Sequence, residues 1–444
     1  MSDSAPPTVP HTTPDPGPDP GSAPAPGRWR TIFGTGIGNA LEWYDWNVYA
    51  VFTPFFADQF FPASDPAAPL LTTLAIFAVG FLMRPLGGLF FGRLGDRKGR
   101  RAAMVSSIAL AAGGSLLIGL SPTHATIGVG ASVLLLVARL AQGLAHGGEL
   151  PAAQTYVSEM APRGRRGRWS SLIYVSGTSG ILAGTLLGAV LATMLTEAQL
   201  HAWGWRIPFV AGGLIGVYAL VMRLRLTETE AFERERAREE AAHERPSLWR
   251  SLWAHRKACL QVIGLTLGGT VAYYTWVVSA PAQAISTKGM DASAVLWAGV
   301  AVNTVFILTL PLFGMLSDRV GRKPVMYLSS IGGALVAFPL NWMIDDQVWQ
   351  LVVALAVAML FIAPGVAIAP AVYAELFPTH VRTSGVGFPY AVAVAACGGS
   401  APYLQTWLAG HGLGDLFLGY TVVLLLVGVA VIHRIPETKN ADLT

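Results

Sequence analysis

Five charged side chains, Glu42, Asp45, Arg84, Arg139 and Glu149, stand inside long apolar stretches of this chain. An ionised group at the centre of a bilayer costs at least about 2.5–3.5 kcal/mol on insertion scales, so each one retained either serves a function or pairs with another to lock helices together. Spacing adds to this. Arg139, Gln142, His146 and Glu149 recur every three or four residues and would form one polar stripe about 15 Å long on a helix. Asn39, Glu42, Asp45 or Trp46, and Tyr49 make a similar stripe near the start of the chain. A carboxylate held between water and lipid can bind a proton from one compartment and release it to the other, which makes Glu42, Asp45 and Glu149 candidates for proton coupling. His146 joins them as an imidazole that titrates near working pH when solvated, although a histidine beside Gly147-Gly148 more commonly packs as a hydrogen-bonding residue. Arg84 and Arg139 keep their charge and offer a fork of donors that fits a carboxylate. Arg139 has a competing role as the ion-pair partner of Glu149 or Asp45.

The elements that must position these groups are set by composition. Of 444 residues, 53% are hydrophobic and 13% charged, about half the charged share of a soluble protein. The hydropathy pattern predicts twelve membrane spans, near 31–57, 69–92, 103–121, 126–160, 169–193, 205–226, 258–285, 292–315, 324–343, 348–376, 384–409 and 413–434. Of the 30 Lys and Arg residues, 26 fall on one face, which the positive-inside rule makes cytoplasmic together with both termini. Residues 1–27 hold nine of the 29 prolines and read as a disordered cytoplasmic tail, and 436–444 as a second cytoplasmic tail. The Glu- and Arg-rich stretch 227–257 reads as a solvated helical linker between an N-terminal half, 28–226, and a C-terminal half, 258–435. The net charge of +4 is explained by topology, so no nucleic-acid partner is expected. Two cysteines in apolar runs exclude a disulfide framework, and no Gly-Lys dipeptide or His-Glu-x-x-His pair is present. No cofactor, no metal and no enzymatic role is expected. Gly34-Thr-Gly36-Ile-Gly38 has the wrong spacing for a dinucleotide site, while Gly180, Gly184 and Gly188, like Gly88 and Gly92, are spaced for close helix packing.

The two halves repeat each other. Gly92-Arg-Leu-Gly-Asp96-Arg97-Lys-Gly99-Arg100-Arg101 recurs 222 residues later as Gly314-Met-Leu-Ser-Asp318-Arg319-Val-Gly321-Arg322-Lys323. Glu159-Met-Ala-Pro162 with Arg166 recurs 216 residues later as Glu375-Leu-Phe-Pro378 with Arg382. Two markers with nearly one offset report a duplication of six spans.

The doubled loop resembles the signature of the major facilitator superfamily. Gly38-Asn-Ala-Leu-Glu42-Trp-Tyr-Asp45, Phe81-Leu-Met-Arg84-Pro85-Leu-Gly87-Gly88, Arg139-Leu-Ala-Gln142-Gly143 and Trp203-Gly-Trp-Arg206-Ile-Pro208-Phe resemble its metabolite:proton symporter family. Tyr274-Thr275, Gly289-Met290 and Ala374-Glu-Leu-Phe-Pro378 with Val381-Arg382 and Gly385-Val-Gly387 are most similar to the α-ketoglutarate permeases. The chain departs from the pattern at His146 and Leu150, and at Ala280-Pro281-Ala-Gln283-Ala, where the family usually has a basic residue.

The resemblance implies an all-α membrane protein of twelve helices in two pseudo-symmetric halves, monomeric, in the inner membrane. It implies a symporter that moves protons with a small carboxylate, α-ketoglutarate or a related dicarboxylate, by rocking the halves about a central site. Shikimate, citrate, or proline and betaine are alternative substrates, and a non-transporting membrane sensor is a remoter one. The substrate would meet Arg84, Arg139, Tyr273, Tyr274, Asn303 and Tyr390, with Trp276 and Gln405 further candidates from the second half; core or interfacial packing is the commoner role for each of these aromatic and amide residues. The charge-rich turns, Gly92, Asp96, Arg97, Gly99 and Arg100 in one copy and Gly314, Asp318, Arg319, Gly321 and Arg322 in the other, are expected to pair with Glu159 or Glu375 and the neighbouring helix in one conformation and latch the outward-facing state, with Arg166 and Arg382 among the gating residues.

Overall fold

A computed structural model describes residues 26–62, 67–98, 100–147, 149–162, 164–224, 248–378, 381–439 and 441. Gly99 and the side chains of Asp96, Arg97, Arg100 and Glu149 lie outside the described residues, as do almost all of the N-terminal tail and positions 225–247 of the linker. The described chain is helical from end to end, in twelve successive rods. They are α1 Pro26–Phe60, α2 Ala67–Lys98, α3 Arg100–Leu120, α4 Val129–Ala145 continued by Glu149–Met160, α5 Arg166–Met194 and α6 Arg206–Leu224. The second six are α7 Arg256–Ser286, α8 Ala292–Val320, α9 Arg322–Met343, α10 Val348–Glu375, α11 Arg382–Ala393 continued through Val394–Gly398 and Ala401–Gly410, and α12 Gly414–Arg434. Eight of the described helices are long and apolar enough to cross a membrane. The linker contributes one described helix, Leu248–Ala254.

The expected uninterrupted fourth span is corrected here. α4 stops at Ala145, turns at His146 and Gly147 and resumes at Glu149. Pro151 has no N–H to offer the carbonyl of Gly147 four residues earlier, and that carbonyl instead faces Gly88 of α2, where an added Cβ would lie 3.1 Å from it. Long rods in the second half are interrupted differently. α7 and α11 each contain a wide turn, at Thr275–Ser279 and Val394–Gly398, and both turns lie on the side that meets the first half.

Small residues decide how closely the rods approach. Gly143 lies against the Gly80 carbonyl and Gly147 against the Arg84 carbonyl, with no room for a Cβ at either position. The α2–α4 seam is thereby drawn backbone to backbone, which brings Arg84 and Arg139 beside one another. Gly180 seats on the Ala40 carbonyl, with Gly184 and Gly188 packed on α1 side chains, as their spacing predicts. The main contact between the halves runs along α5 and α8, closest where Gly167 meets Gly314.

Gly143→Ala is expected to lower stability by about 1–3 kcal/mol, because the new methyl meets fixed backbone rather than a movable side chain. Gly113→Ala on α3, where a Cβ would meet nothing within 4 Å, should leave the melting temperature of the detergent-solubilised protein unchanged or slightly raised.

Candidate substrate and proton site

Inside the first half the charged residues form one connected group. Arg84 Nη2 lies 3.6 Å from Glu42 Oε1, and both side chains are buried. The Arg84 guanidinium rests over Trp46 at 4.4 Å and Phe81 at 4.3 Å. Arg139, fully buried, covers the same Trp46 ring at 4.0 Å and Tyr49 at 4.1 Å. Two cations thus share one indole. Rings take the place of water around the guanidinium faces, and a desolvated cation over an aromatic face gains about 2 kcal/mol. The guanidinium edges are less completely met. Among the described residues, Arg139 Nε and Nη2 and Arg84 Nε have no acceptor.

Arg139 does not pair directly with Asp45. Its Nη1 donates to Gln142 Oε1 at 2.8 Å, Gln142 Nε2 donates to Ser115 Oγ at 2.8 Å, and Ser115 Oγ donates to Asp45 Oδ1 at 3.0 Å. The other carboxylate oxygen of Asp45 is 4.0 Å from His146 Nε2. Glu42, Asp45 and His146 line one small recess within the first half, among Gly38, Ser107, Ala112 and Gly212. The polar stripe expected on α1 is divided between neighbours. Asn39 Nδ2 donates to the Ile173 carbonyl at 2.8 Å and Ser176 Oγ at 2.9 Å on α5, whereas Tyr49 Oη donates to the Thr73 carbonyl of α2 at 3.0 Å.

A second, larger cavity lies toward the C-terminal half, lined by Trp43 and Tyr174 from the first half and Tyr273, Tyr274, Tyr373 and Tyr390 from the second. Three of the six residues expected to bind substrate, Tyr273, Tyr274 and Tyr390, are therefore together. Arg84 is one ring away: it lies on Phe81, whose ring meets Tyr274 edge-on at 5.4 Å. Asn303 is elsewhere, in a separate recess with Asn47, Thr185 and Trp276, and its Nδ2 donates to the Gly299 carbonyl of its own helix at 2.8 Å. Ser115 and Trp43 are participants that intramembrane charge could not flag, since a lone serine or tryptophan in an apolar helix looks like ordinary lining.

At the basic end of the molecule the second copy of the repeated turn joins the halves. Asp318 accepts from the backbone N–H groups of Gly167 at 2.8 Å and Arg168 at 2.9 Å, at the first turn of α5, and from Arg322 Nη1 at 2.9 Å. Arg322 Nη2 reaches Glu375 at 3.1 Å, Arg166 lies 3.9 Å from the same carboxylate, and Arg382 pairs with Glu159 at 2.6 Å. In the second copy Arg319 contributes its carbonyl to Lys439 Nζ at 2.8 Å, and the charged side chains of the first copy lie outside the described residues.

The segment after α12 completes this end. Glu437 accepts from the backbone N–H groups of Arg322 at 2.8 Å, Lys323 at 3.1 Å and Lys439 at 3.0 Å, beside Gly321, whose φ of 105° only glycine adopts without strain. Thr438 donates to Glu375 at 2.6 Å, and Arg166 donates to the Ala441 carbonyl. The C-terminal tail is thus a strap across both halves. Partial burial alone would raise the pKa of Glu437, but the three N–H donors outweigh it and hold the carboxyl below its usual value of 4.5. A carboxylate depressed on folding stabilises the fold fully above its unfolded value, and that contribution is lost as pH falls through the lower folded value. Glu437→Gln should therefore narrow its stability gap to the parent on acidification below about pH 4.5, read from melting temperatures of the two proteins across pH.

Residues 31–444 match the model of the family described as Sugar (and other) transporter. The chain is 38% identical to the alpha-ketoglutarate permease of Escherichia coli (strain K12) over 411 residues, covering 91% of this chain and 93% of that one. It is 31% identical to the proline/betaine transporter of Salmonella typhimurium over 424 residues, covering 93% and 84%. Its fold is similar to that of the xylose transporter XylE from E. coli in a partially occluded inward-open conformation, with a TM-score of 0.72, 18% identity, and 94% and 99% of the two chains covered.

Proposed function

The chain belongs to the Sugar (and other) transporter family, a family of membrane carriers, and we propose that it is a proton-coupled symporter that imports a small dicarboxylate such as 2-oxoglutarate (α-ketoglutarate). The observation that carries the reading is the pair of guanidiniums buried at one indole, with donor edges that find no acceptor among the described residues. An anion with hydrogen-bond acceptors satisfies such edges, whereas a neutral sugar does not supply the charge. Arg84 stands between Glu42 and the tyrosine-lined cavity, so a substrate carboxylate would take Arg84 while phenol hydroxyls hold its other end. In this reading Glu42 then needs a proton, since a second anion beside one cation in a buried site is strongly disfavoured. Asp45, which lines the same recess as Glu42, serves as the carrier of the coupled proton.

The halves would rock about the α5–α8 contact, with the strap and the Asp318, Arg322, Glu375, Arg382 and Glu159 set holding the basic, cytoplasmic end shut while the site loads from outside. The relatives named for proline and betaine keep a zwitterion as the second reading. Arg84 separates the two: a zwitterion brings a single carboxylate, to which a second buried arginine is surplus.

Proteoliposomes with an inward proton gradient should accumulate labelled 2-oxoglutarate. Arg84→Ala should reduce initial uptake by roughly 100-fold, the loss of a charge-assisted bidentate contact of about 3 kcal/mol. Accumulation of proline with no effect of Arg84→Ala would replace the dicarboxylate reading.

A further inference from the structure

We propose that Gln142 and Ser115 are positioning residues that tie the proton state of Asp45 to Arg139. This rests on the proton-coupled reading of the same site and names the physical link in it. All the members are buried: Arg139, Gln142 and Ser115 are inaccessible, and Asp45 is 9% exposed. No water is needed to complete the path between Arg139 and Asp45, because the three hydrogen bonds are direct.

The polarity of the chain is fixed by donor inventory alone. A guanidinium can only donate, so the Gln142 amide must turn its oxygen to Arg139 and its NH2 to Ser115. The Ser115 oxygen is then occupied as an acceptor, and its one proton points at Asp45. A cation at one end thereby becomes an oriented donor at the other, and polarised bonds in a low-dielectric interior reinforce one another. A donor aimed at a carboxylate favours its charged form. Breaking any bond in the chain frees Ser115 to turn away and Asp45 to hold its proton irrespective of Arg139.

The surroundings leave few rivals for this duty. His146 Nε2, in the break of α4, is 4.0 Å from Asp45, and Arg84 of α2 is engaged with Glu42 on α1 itself at 3.6 Å. α6 presents Gly212, where a Cβ would stand 3.0 Å from Asp45 Oδ1, and so offers no titratable group there. α3 is shaped for the link: Gly114 clears space for Gln142, since a Cβ there would lie 2.7 Å from its Cγ, and the next residue supplies the hydroxyl. Because Arg84 and Arg139 share the Trp46 ring, displacement of Arg84 by a bound anion is felt by the start of this chain.

The test is an infrared titration of the reconstituted full-length protein, following the protonated carboxyl band that Asp45→Asn abolishes. Ser115→Ala and Gln142→Met should each displace its midpoint by about one pH unit or more, a tenfold change in proton binding, although Gln142 does not touch Asp45. A midpoint unchanged in Gln142→Met overturns the proposal. In proteoliposomes with labelled 2-oxoglutarate, both variants should lower the ratio of gradient-driven accumulation to exchange by about tenfold, a ratio that general misfolding leaves alone. A ratio equal to the parent's also overturns it. The titration uses no substrate, so a parent protein that moves no 2-oxoglutarate defeats the dicarboxylate reading and leaves the linkage result standing.

Discussion

A charge withdrawn from water must be matched from within the protein, and in the first half of this chain that constraint organises everything else. Two arginines and two acids from α1, α2 and α4 face one another rather than lipid, and the rings of Trp46, Tyr49, Phe77 and Phe81 occupy the space that water would otherwise fill. Such a group needs its helices close, and closeness needs glycine. The α2–α4 seam, where Gly80, Gly143 and Gly147 press backbone on backbone, is therefore as much a part of the site as the arginines themselves.

The same constraint explains why the buried charged group and the charged ties between the halves sit apart. The buried group is internal to the first half, on α1, α2 and α4. Among the described residues the charged ties between the halves are placed at the basic end: Arg382 with Glu159, Arg166 with Glu375, and Asp318 on the first turn of α5, while at the other end of α5 Thr193 bonds to Ser293 and Trp297 without charge. Hydrogen bonds to the end of a helix are strong when aligned and vanish with a small rotation, which suits a latch between two arrangements. The strap around Glu437 adds a third element, anchored in one half and touching the other through Arg166.

Much of this is legible in the sequence because membranes punish misplaced charge. Glu42, Asp45, Arg84 and Arg139 stand out against apolar neighbours, and the doubled loop names its own partners by repetition. The interruption of α4 is readable from Gly147 and Pro151 only with hindsight, since a glycine pair in a helix is as often a packing feature. Gln142 stands out in the polar stripe of α4, whereas its partner Ser115 is less legible: a serine in an apolar helix commonly satisfies itself on its own backbone, as Ser170 does with Arg166. Asn303 illustrates the converse, a polar residue in an apolar span whose Nδ2 bonds to the backbone of its own turn, away from the tyrosine cavity. The strap is not legible because a short polar tail carries no periodicity, and its order comes from the Arg322 and Lys323 N–H groups at the repeated turn together with the Lys439 N–H of the tail itself.

The central claim is that substrate and proton cross together through this buried group. It is tested most directly by a pH electrode in a weakly buffered suspension of proteoliposomes with no imposed gradient. Addition of 2-oxoglutarate should make the medium more alkaline as protons enter with it, and vesicles carrying Asp45→Asn should give no such signal. Entry of labelled 2-oxoglutarate with the external pH unmoved in the parent protein would contradict the account.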